Sequence, residues 1–237
     1  MKRSRPTSLT PLDVKVLKAT LRLNTADVSL LSLETGLDEG VVAESLEKLD
    51  IHTQTLSQPG ELVETALRWL KRGRAYEEVS KSLPWDLFEL LVARILEEAG
   101  LDVFRNISVT LGRRRVQLDI VALKSSAIYV IECKRWIRSL TGALAEREAQ
   151  KLKARADLLA RALLKMFGRG DYIHLVVPIL VSPYTSPAVT EAFITPLRTF
   201  FSLLSEHPST LPTPPAIKLF LRGVVASTFL EHRKLHA

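Results

Sequence analysis

Three charged residues, two at the end of an apolar segment and one within a second such segment, have the types and spacing of a hydrolytic metal site. Glu132 and Lys134 close the apolar run from Ile128 to Lys134, and residues two apart on a strand share one face. Asp119 is the only charged residue in a second apolar segment, residues 116 to 123. An acid-x-Lys pair alone is common by chance, so the specificity comes from this apolar context.

Two carboxylates on adjacent strands require a partner because their like charges repel. If Asp119 and Glu132 lie side by side, a divalent cation such as Mg²⁺, with Mn²⁺ as the second choice, would neutralise both. With a phosphodiester bound, Lys134 would stabilise the extra negative charge or orient the attacking water. The alternative interpretation is an ion pair at a strand end that binds no metal.

The elements around these residues predict a mixed α/β domain. A helix is predicted from Trp85 to Ala99, followed by strands at Val103 to Thr110, Arg115 to Leu123 and Ile128 to Lys134, a long helix from Ala143 to Phe167, a strand from Tyr172 to Val181 and a helix from Pro196 to Leu204. The order is αβββαβ. A proline-rich linker follows from Pro208 to Pro215, and the pattern leaves the type of the last segment, Ile217 to Val225, open.

The front of the chain predicts a separate helical domain. Helices are predicted at Pro11 to Leu23, Ala26 to Glu34 and Asp38 to Leu49, with a short wing at Ile51 to Leu56. This pattern resembles the winged-helix family. We therefore divide the chain into a winged-helix-like domain at residues 1–60, a helical connector at 61–83 and an α/β domain at 84–237.

Charge is distributed unevenly along the 237 residues, whose formal net charge is +7. Residues 24 to 64 hold nine acids and one lysine, whereas residues 111 to 175 hold fourteen Lys and Arg against six acids. The basic body predicts a polyanionic partner such as DNA. The predicted helix from Asp38 to Leu49, which would be the recognition helix, is acidic and so disfavours contact with phosphates. We therefore expect the N-terminal domain to serve specificity, dimer contact or recruitment of a protein partner, or simply packing, rather than to supply most of the DNA affinity.

Composition excludes several other classes of protein. The single cysteine, Cys133, excludes an internal disulfide framework and a zinc site of the usual kind, and the histidines show no ligand spacing. The basic N-terminus is not followed by an apolar signal segment, and no apolar run reaches the ~20 residues of a membrane helix. We expect a cytoplasmic protein without a membrane segment.

At these motifs the sequence resembles the PD-(D/E)XK nuclease superfamily, and within it the archaeal Holliday-junction resolvases and the Mrr-type restriction endonucleases. The resemblance covers about residues 84 to 205. The motifs that carry it are Phe88-Glu89, Leu118-Asp119 and Glu132-Cys133-Lys134, followed by Arg135-Trp136. Leu118 replaces the proline that precedes the aspartate in the family.

The resemblance implies a restriction-endonuclease-like core and a Mg²⁺-dependent endodeoxyribonuclease that leaves 5′-phosphate and 3′-hydroxyl ends. By this resemblance Asp119, Glu132 and the Cys133 carbonyl would ligate the metal, Glu89 would complete its shell, and Lys134 would serve the water. Related nucleases often place a Gln or Lys where Gln150 lies. For Glu89 and Gln150 a solvated side chain on a polar helix stripe is the competing interpretation.

Other basic residues predict the path of DNA and the assembly. We expect phosphate contacts from a basic set near the strands, rather than a merely solvated charge run: Arg113, Arg114, Arg115, Arg135 and Arg138. A homodimer is expected because symmetric duplex or junction substrates need two sites. The rival function is a non-catalytic DNA-binding or regulatory protein that retains the nuclease fold, and an adaptor that recruits a partner to DNA is compatible with either.

Overall fold

The structure is a computed structural model of the chain, and it describes residues 9–51, 59–71, 76–134, 141–183, 185–205, 215–223, 225 and 234–236. The chain forms two compact units, Met1–Leu91 and Val92–Ala237. The boundary between them falls within one helix.

Helices make up the described part of the first unit. They are α1 (Pro11–Leu23), α2 (Val28–Thr35), α3 (Glu39–Lys48), α4 (Pro59–Lys71) and α5 (Tyr76–Ser82). The first three confirm the predicted helices to within two residues at each end. Asp27 and Asp38 cap α2 and α3 through their side chains, and Gly36 ends α2 in the left-handed conformation. The predicted wing falls almost entirely on residues 52–58, which lie outside the described residues.

A buried carboxylate ties the start of α1 to α3. Asp13 accepts hydrogen bonds from the Thr10 amide and hydroxyl, both at 2.8 Å, and from the Ser45 hydroxyl at 2.9 Å. Burial acts to raise the pKa of Asp13, but these hydrogen bonds, with the charge of Lys48, outweigh it and lower the pKa below its ordinary value. The capping box at Thr10 is therefore also a tertiary contact.

The second unit is a mixed sheet with helices. Helix α6 (Trp85–Glu98) spans the boundary and is followed by β1 (Asp102–Leu111), β2 (Arg114–Lys124), β3 (Ala127–Cys133), α7 (Gly142–Phe167), β4 (Arg169–Val181), β5 (Ala188–Val189), β6 (Phe193–Thr195), α8 (Leu197–Ser205), β7 (Ile217–Leu221) and β8 (Lys234–His236). The strand order is β5-β6-β4-β3-β2-β1-β8, with β7 paired to β4. The predicted α/β fold with its αβββαβ order is confirmed.

The central strands bring distant parts of the sequence together. β1, β2 and β3 pair antiparallel as a meander, whereas β3 and β4 pair parallel, with α7 as the crossover between them. An apolar stripe on α7 packs in the same core as residues of the three strands β2, β3 and β4. Its buried members include Ala149, Leu152, Ala156, Leu159 and Leu163. This packing fixes the rotation of α7 against the strands that carry the predicted site.

The structure also resolves the segment whose type the sequence left open. Ile217–Leu221 forms β7, which pairs antiparallel with the first half of β4. Among the described helices, none is long and apolar enough to cross a membrane.

Candidate active site

The predicted carboxylate on β3 is buried at the end of an otherwise apolar strand. Every residue of β3 is buried, and Glu132 is only 5% exposed. Such a carboxylate must have cationic or hydrogen-bonding partners to remain charged. The partners of Glu132 come from the next residues of the chain and from α7.

Two cations hold the two oxygens of Glu132. The Lys134 Nζ lies 2.6 Å from Oε1, and an Arg155 guanidinium nitrogen lies 2.5 Å from Oε2. Lys134 itself is anchored because its backbone N–H donates to the Val181 carbonyl at 2.9 Å. The Glu132 carboxylate is therefore fixed from both sides, by its own chain segment and by the crossover helix.

Asp119 reaches the same strand end from β2. Its Oδ2 accepts a hydrogen bond of 3.0 Å from the Cys133 backbone N–H, so the side chain takes the place of a backbone acceptor at the end of β3. The last paired residues of the β2–β3 ladder are Ile120 and Ile131. Continued by one residue on each strand, this register places Asp119 opposite Glu132. The structure thus brings Asp119, Glu132 and Lys134 together, as their spacing in the sequence predicts.

Among the residues that the structure describes, four charged side chains lie at this strand end. Asp119 and Glu132 contribute two negative charges, and Lys134 and Arg155 contribute two positive charges. Removing one partner of a buried ion pair typically costs ~3–5 kcal/mol, because the remaining charge is left without compensation. Lys134 and Arg155 keep about a quarter and a third of their side chains exposed, so water compensates their charges in part. The cost therefore arises mainly from the buried charge of Glu132.

The donor atoms fit a hard divalent cation. The two carboxylates are oxygen donors of the kind that Mg²⁺ prefers, and both Glu132 oxygens already lie against positive groups. The Cys133 carbonyl as a further ligand stays a prediction from the resemblance. Within the described ranges, no three His, Cys, Asp or Glu side chains are grouped so that they could hold a metal ion. A shell with a third carboxylate therefore stays a prediction.

The other residues predicted to act at the site are placed differently. Glu89 lies on α6 and is 8% exposed, so it is not the solvated side chain of the competing interpretation. It belongs to the first unit, and its part in a metal shell stays a prediction. Gln150 lies on an exposed position of α7.

Sequence reasoning missed two charged residues of α7. Arg155 pairs with Glu132, and Glu148, 8% exposed, pairs with Lys151 at 2.6 Å. The sequence contains a signal for both residues. Glu148 lies four residues before the buried Leu152, and Arg155 lies four residues before the buried Leu159, so both lie beside the apolar stripe rather than opposite it.

The basic hairpin turn is at the position that the sequence predicts. Leu111 pairs with Arg114, which leaves Gly112 and Arg113 as the turn, and Gly112 takes a positive φ of 59°. Arg113, Arg114 and Arg115 are exposed, and the Arg115 Nε donates to the Ser108 hydroxyl at 2.9 Å. Arg135 and Arg138 lie in residues 135–140, outside the described part of the chain. Phosphate contact by either group stays a prediction.

One comparison with known families covers the part of the chain that contains this strand end. Residues 85–179 match a family model described as "NERD: Nuclease-related domain". This family is part of the PD-(D/E)XK-like nuclease superfamily, so the resemblance is confirmed at that level. The narrower resemblance to junction resolvases or Mrr-type enzymes, and the winged helix, stay predictions.

The comparisons with curated proteins and with solved structures do not assign a function. No curated protein matches the chain. A solved structure described as "Crystal Structure of Protein of Unknown Function AF1548" is 25% identical and has a TM-score of 0.29, with 41% of this chain and 46% of that chain covered. The match thus spans less than half of the solved chain, and a TM-score this low does not equate the two folds.

Proposed function

We propose that the protein is a metal-dependent endonuclease that hydrolyses phosphodiester bonds of DNA. The observation that carries the proposal is the convergence of Asp119, Glu132 and Lys134 where β2 and β3 meet. The nuclease-related domain match over residues 85–179 supports the reaction class. Branched or junction DNA, encountered in repair, recombination or restriction, is the substrate class that the family resemblance favours.

Each residue at the strand end has a role in this reaction. Asp119, Glu132 and the Cys133 carbonyl would hold Mg²⁺, or Mn²⁺ in its place. The bound ion would polarise the phosphoryl oxygen and lower the pKa of the attacking water. Lys134 contributes a positive charge that complements the extra negative charge of the transition state. Its backbone bond to β4 keeps this charge at the strand end, with a quarter of the side chain exposed to an incoming phosphate.

Charge supports DNA as the partner. The stretch from residue 111 to residue 175, which contains the three residues of the site, has fourteen basic and six acidic residues. Basic groups that displace counterions supply most of the non-specific affinity for DNA. The exposed arginines at the β1–β2 turn belong to this stretch.

A second function is a non-catalytic DNA-binding or regulatory protein that keeps this fold. The observation that favours it is the double pairing of Glu132 with Lys134 and Arg155, which satisfies the carboxylate without a metal. The two functions differ in one measurable property, which is metal-dependent cleavage.

Incubation with Mg²⁺ and a panel of linear, flapped and four-way-junction DNAs distinguishes them. We expect cleavage by the wild type, its loss in EDTA, and a fall of about a hundredfold or more for Asp119→Ala, since loss of a metal ligand costs ~3 kcal/mol of barrier. Asp171→Ala is the control because it removes an exposed carboxylate elsewhere in the second unit. Cleavage that is the same in EDTA, or in Asp119→Ala and Asp171→Ala, contradicts the proposal.

We also propose that two copies of the chain associate through the second unit. Ile173 on β4 and Phe220 on β7 are directly paired across the two strands, and they are 53% and 41% exposed. Contiguous exposed apolar surface marks protein contact sites, and this pair would lie within such a surface. Light scattering at micromolar concentration, with and without DNA, tests this proposal, and a strictly monomeric mass in both conditions contradicts it.

For the first unit we propose contact with a protein rather than with DNA. Leu30 and Leu33 on α2 are 54% and 83% exposed, and residues 24 to 64 carry nine acids and one lysine. The acidic side chains of this segment repel phosphates across a Debye length of ~8 Å, whereas the exposed leucines offer apolar contact to a protein. The double substitution Leu30→Ser/Leu33→Ser should leave DNA affinity within about twofold, and a tenfold loss, about 1.4 kcal/mol, would assign this surface to DNA.

A further inference from the structure

Arg155 is a charged residue at the site that the proposed hydrolysis does not use. It comes from the middle of α7, twenty-three residues from Glu132 in sequence, and its guanidinium lies 2.5 Å from Oε2. The apolar stripe of α7, including Leu152, Ala156 and Leu159, packs against the sheet and holds Arg155 in this position. Core packing therefore sets the position of the helix, and the Arg155 side chain, one third exposed, reaches Glu132 from it.

The position of Arg155 places it in competition with a metal ion. Glu132 has two oxygens, and Lys134 and Arg155 hold one each. A divalent cation that binds Glu132 must displace one of these groups or share an oxygen with it. Among the described residues, Lys134 and Arg155 already offset the charges of Asp119 and Glu132, so an added divalent ion leaves this group of four with an excess of positive charge.

We propose that Arg155 is a positioning residue that occupies Glu132 in the metal-free protein and is displaced when a divalent cation binds. This inference rests on the proposed metal-dependent nuclease function. It has one consequence for how the cation and DNA bind together. The negative charge of the phosphodiester offsets the positive charge that the cation adds, so the two bind with positive coupling. Each then raises the affinity for the other by the same factor.

The size of the competition follows from the ion pair that the cation must break. Binding of the cation costs the Arg155–Glu132 contact, and a hydrogen-bonded contact between charged groups is worth roughly tenfold or more in an equilibrium constant. Removing the charge of Arg155 should therefore tighten binding of the cation alone by about tenfold or more. A purely structural role predicts the opposite, because a less ordered Glu132 would bind the cation more weakly.

Calorimetric titration of the full chain with Mn²⁺, without DNA, measures this difference. We expect Arg155→Gln to bind Mn²⁺ at least about tenfold more tightly than the wild type, and Arg155→Lys, which keeps the charge, to bind it within about threefold of the wild type. The control is Arg161→Gln, which removes the same charge from an exposed position of the same helix. Equal or weaker binding by Arg155→Gln overturns the proposal, as does equal tightening in Arg161→Gln.

A second measurement uses the wild-type protein and so does not depend on a variant that folds. A dicarbonyl reagent modifies free guanidinium groups, and mass spectrometry of peptides gives the extent of modification at Arg155. Addition of Mn²⁺ should increase modification at Arg155 and leave Arg161 unchanged, and no increase at Arg155 overturns the proposal. If the wild type cleaves DNA with Mg²⁺ but these results fail, only the inference about Arg155 falls. If the wild type shows no metal-dependent cleavage, the proposed function fails.

Discussion

Replacement of the arginines at the β1–β2 turn tests whether this end of the hairpin contacts DNA. Arg113 lies in the turn, Arg114 and Arg115 begin β2, and all three are exposed. Neighbouring residues of a strand point to opposite faces, so Arg114 and Arg115 cannot both follow one phosphate track. We therefore expect at most two phosphate contacts from the three arginines.

The magnitude follows from this count. Each phosphate contact contributes about 0.9 to the slope of log K against log[salt], so Gln at all three positions should lower the slope by about 1.8. If these contacts contribute nothing to DNA affinity at 1 M salt, the affinity of the triple variant at 0.15 M salt should be roughly 30-fold lower than that of the wild type. Arg115 is four residues from Asp119, about 13 Å along the strand, so the cleavage rate of bound DNA should change little.

Fluorescence anisotropy of a labelled duplex, titrated in EDTA between 50 and 200 mM KCl, measures the slope. Among single variants, one of Arg114→Gln and Arg115→Gln should lose about fivefold in affinity at 0.15 M salt and the other should lose little. Arg161→Gln controls for the change in net charge. An unchanged slope in the triple variant, or equal losses in the two single variants, would refute the reasoning.

Three further predictions concern residues outside the site. Gly170→Ala should destabilise the second unit by about 1–3 kcal/mol, measured by urea unfolding, because an added Cβ would lie 2.6 Å from the Arg222 Cα. Asp13→Ala should lower the free energy of unfolding by about 2 kcal/mol at pH 7. Because the pKa of Asp13 is lowered in the folded state, that difference is present above about pH 4 and shrinks as the pH falls further. Ile173→Ser/Phe220→Ser should shift the light-scattering mass of a dimer to that of the monomer at the same concentration.

The sequence predicts the main elements because its periodicity and its breaks agree. Apolar runs bounded by Gly112 and Gly168 mark the ends of strands and of the long helix, and each predicted helix or strand begins within three residues of its predicted position. The short strands β5, β6 and β8 were not predicted. The first residues of β4, Arg169–Asp171, were not predicted as strand. Two of them are charged and none has an apolar side chain, and the pairing of Arg169 is with Leu221 of β7, some fifty residues later, across a register shift between Arg169 and Tyr172.

The candidate site could be predicted in part. Glu132 and Lys134 lie two residues apart at the end of β3, and Asp119 lies on the preceding strand. Because an antiparallel pair has a defined register, this spacing was enough to predict that the three residues come together. The contact of Arg155 with Glu132 depends on how α7 is rotated against the sheet. That rotation is set by packing of the whole apolar stripe, and a local motif does not contain it.

Cleavage and binding of one labelled DNA by the wild type and by Lys134→Ala, each in Mg²⁺, test the nuclease proposal most directly. Lys134 is one of fourteen basic residues between positions 111 and 175, so its loss should leave DNA affinity within a few fold. Loss of its charge at the reacting phosphate should lower the cleavage rate by about a hundredfold or more. Retained cleavage in Lys134→Ala, or a fall in binding that accounts for the whole loss of cleavage, would contradict the proposed role of this site.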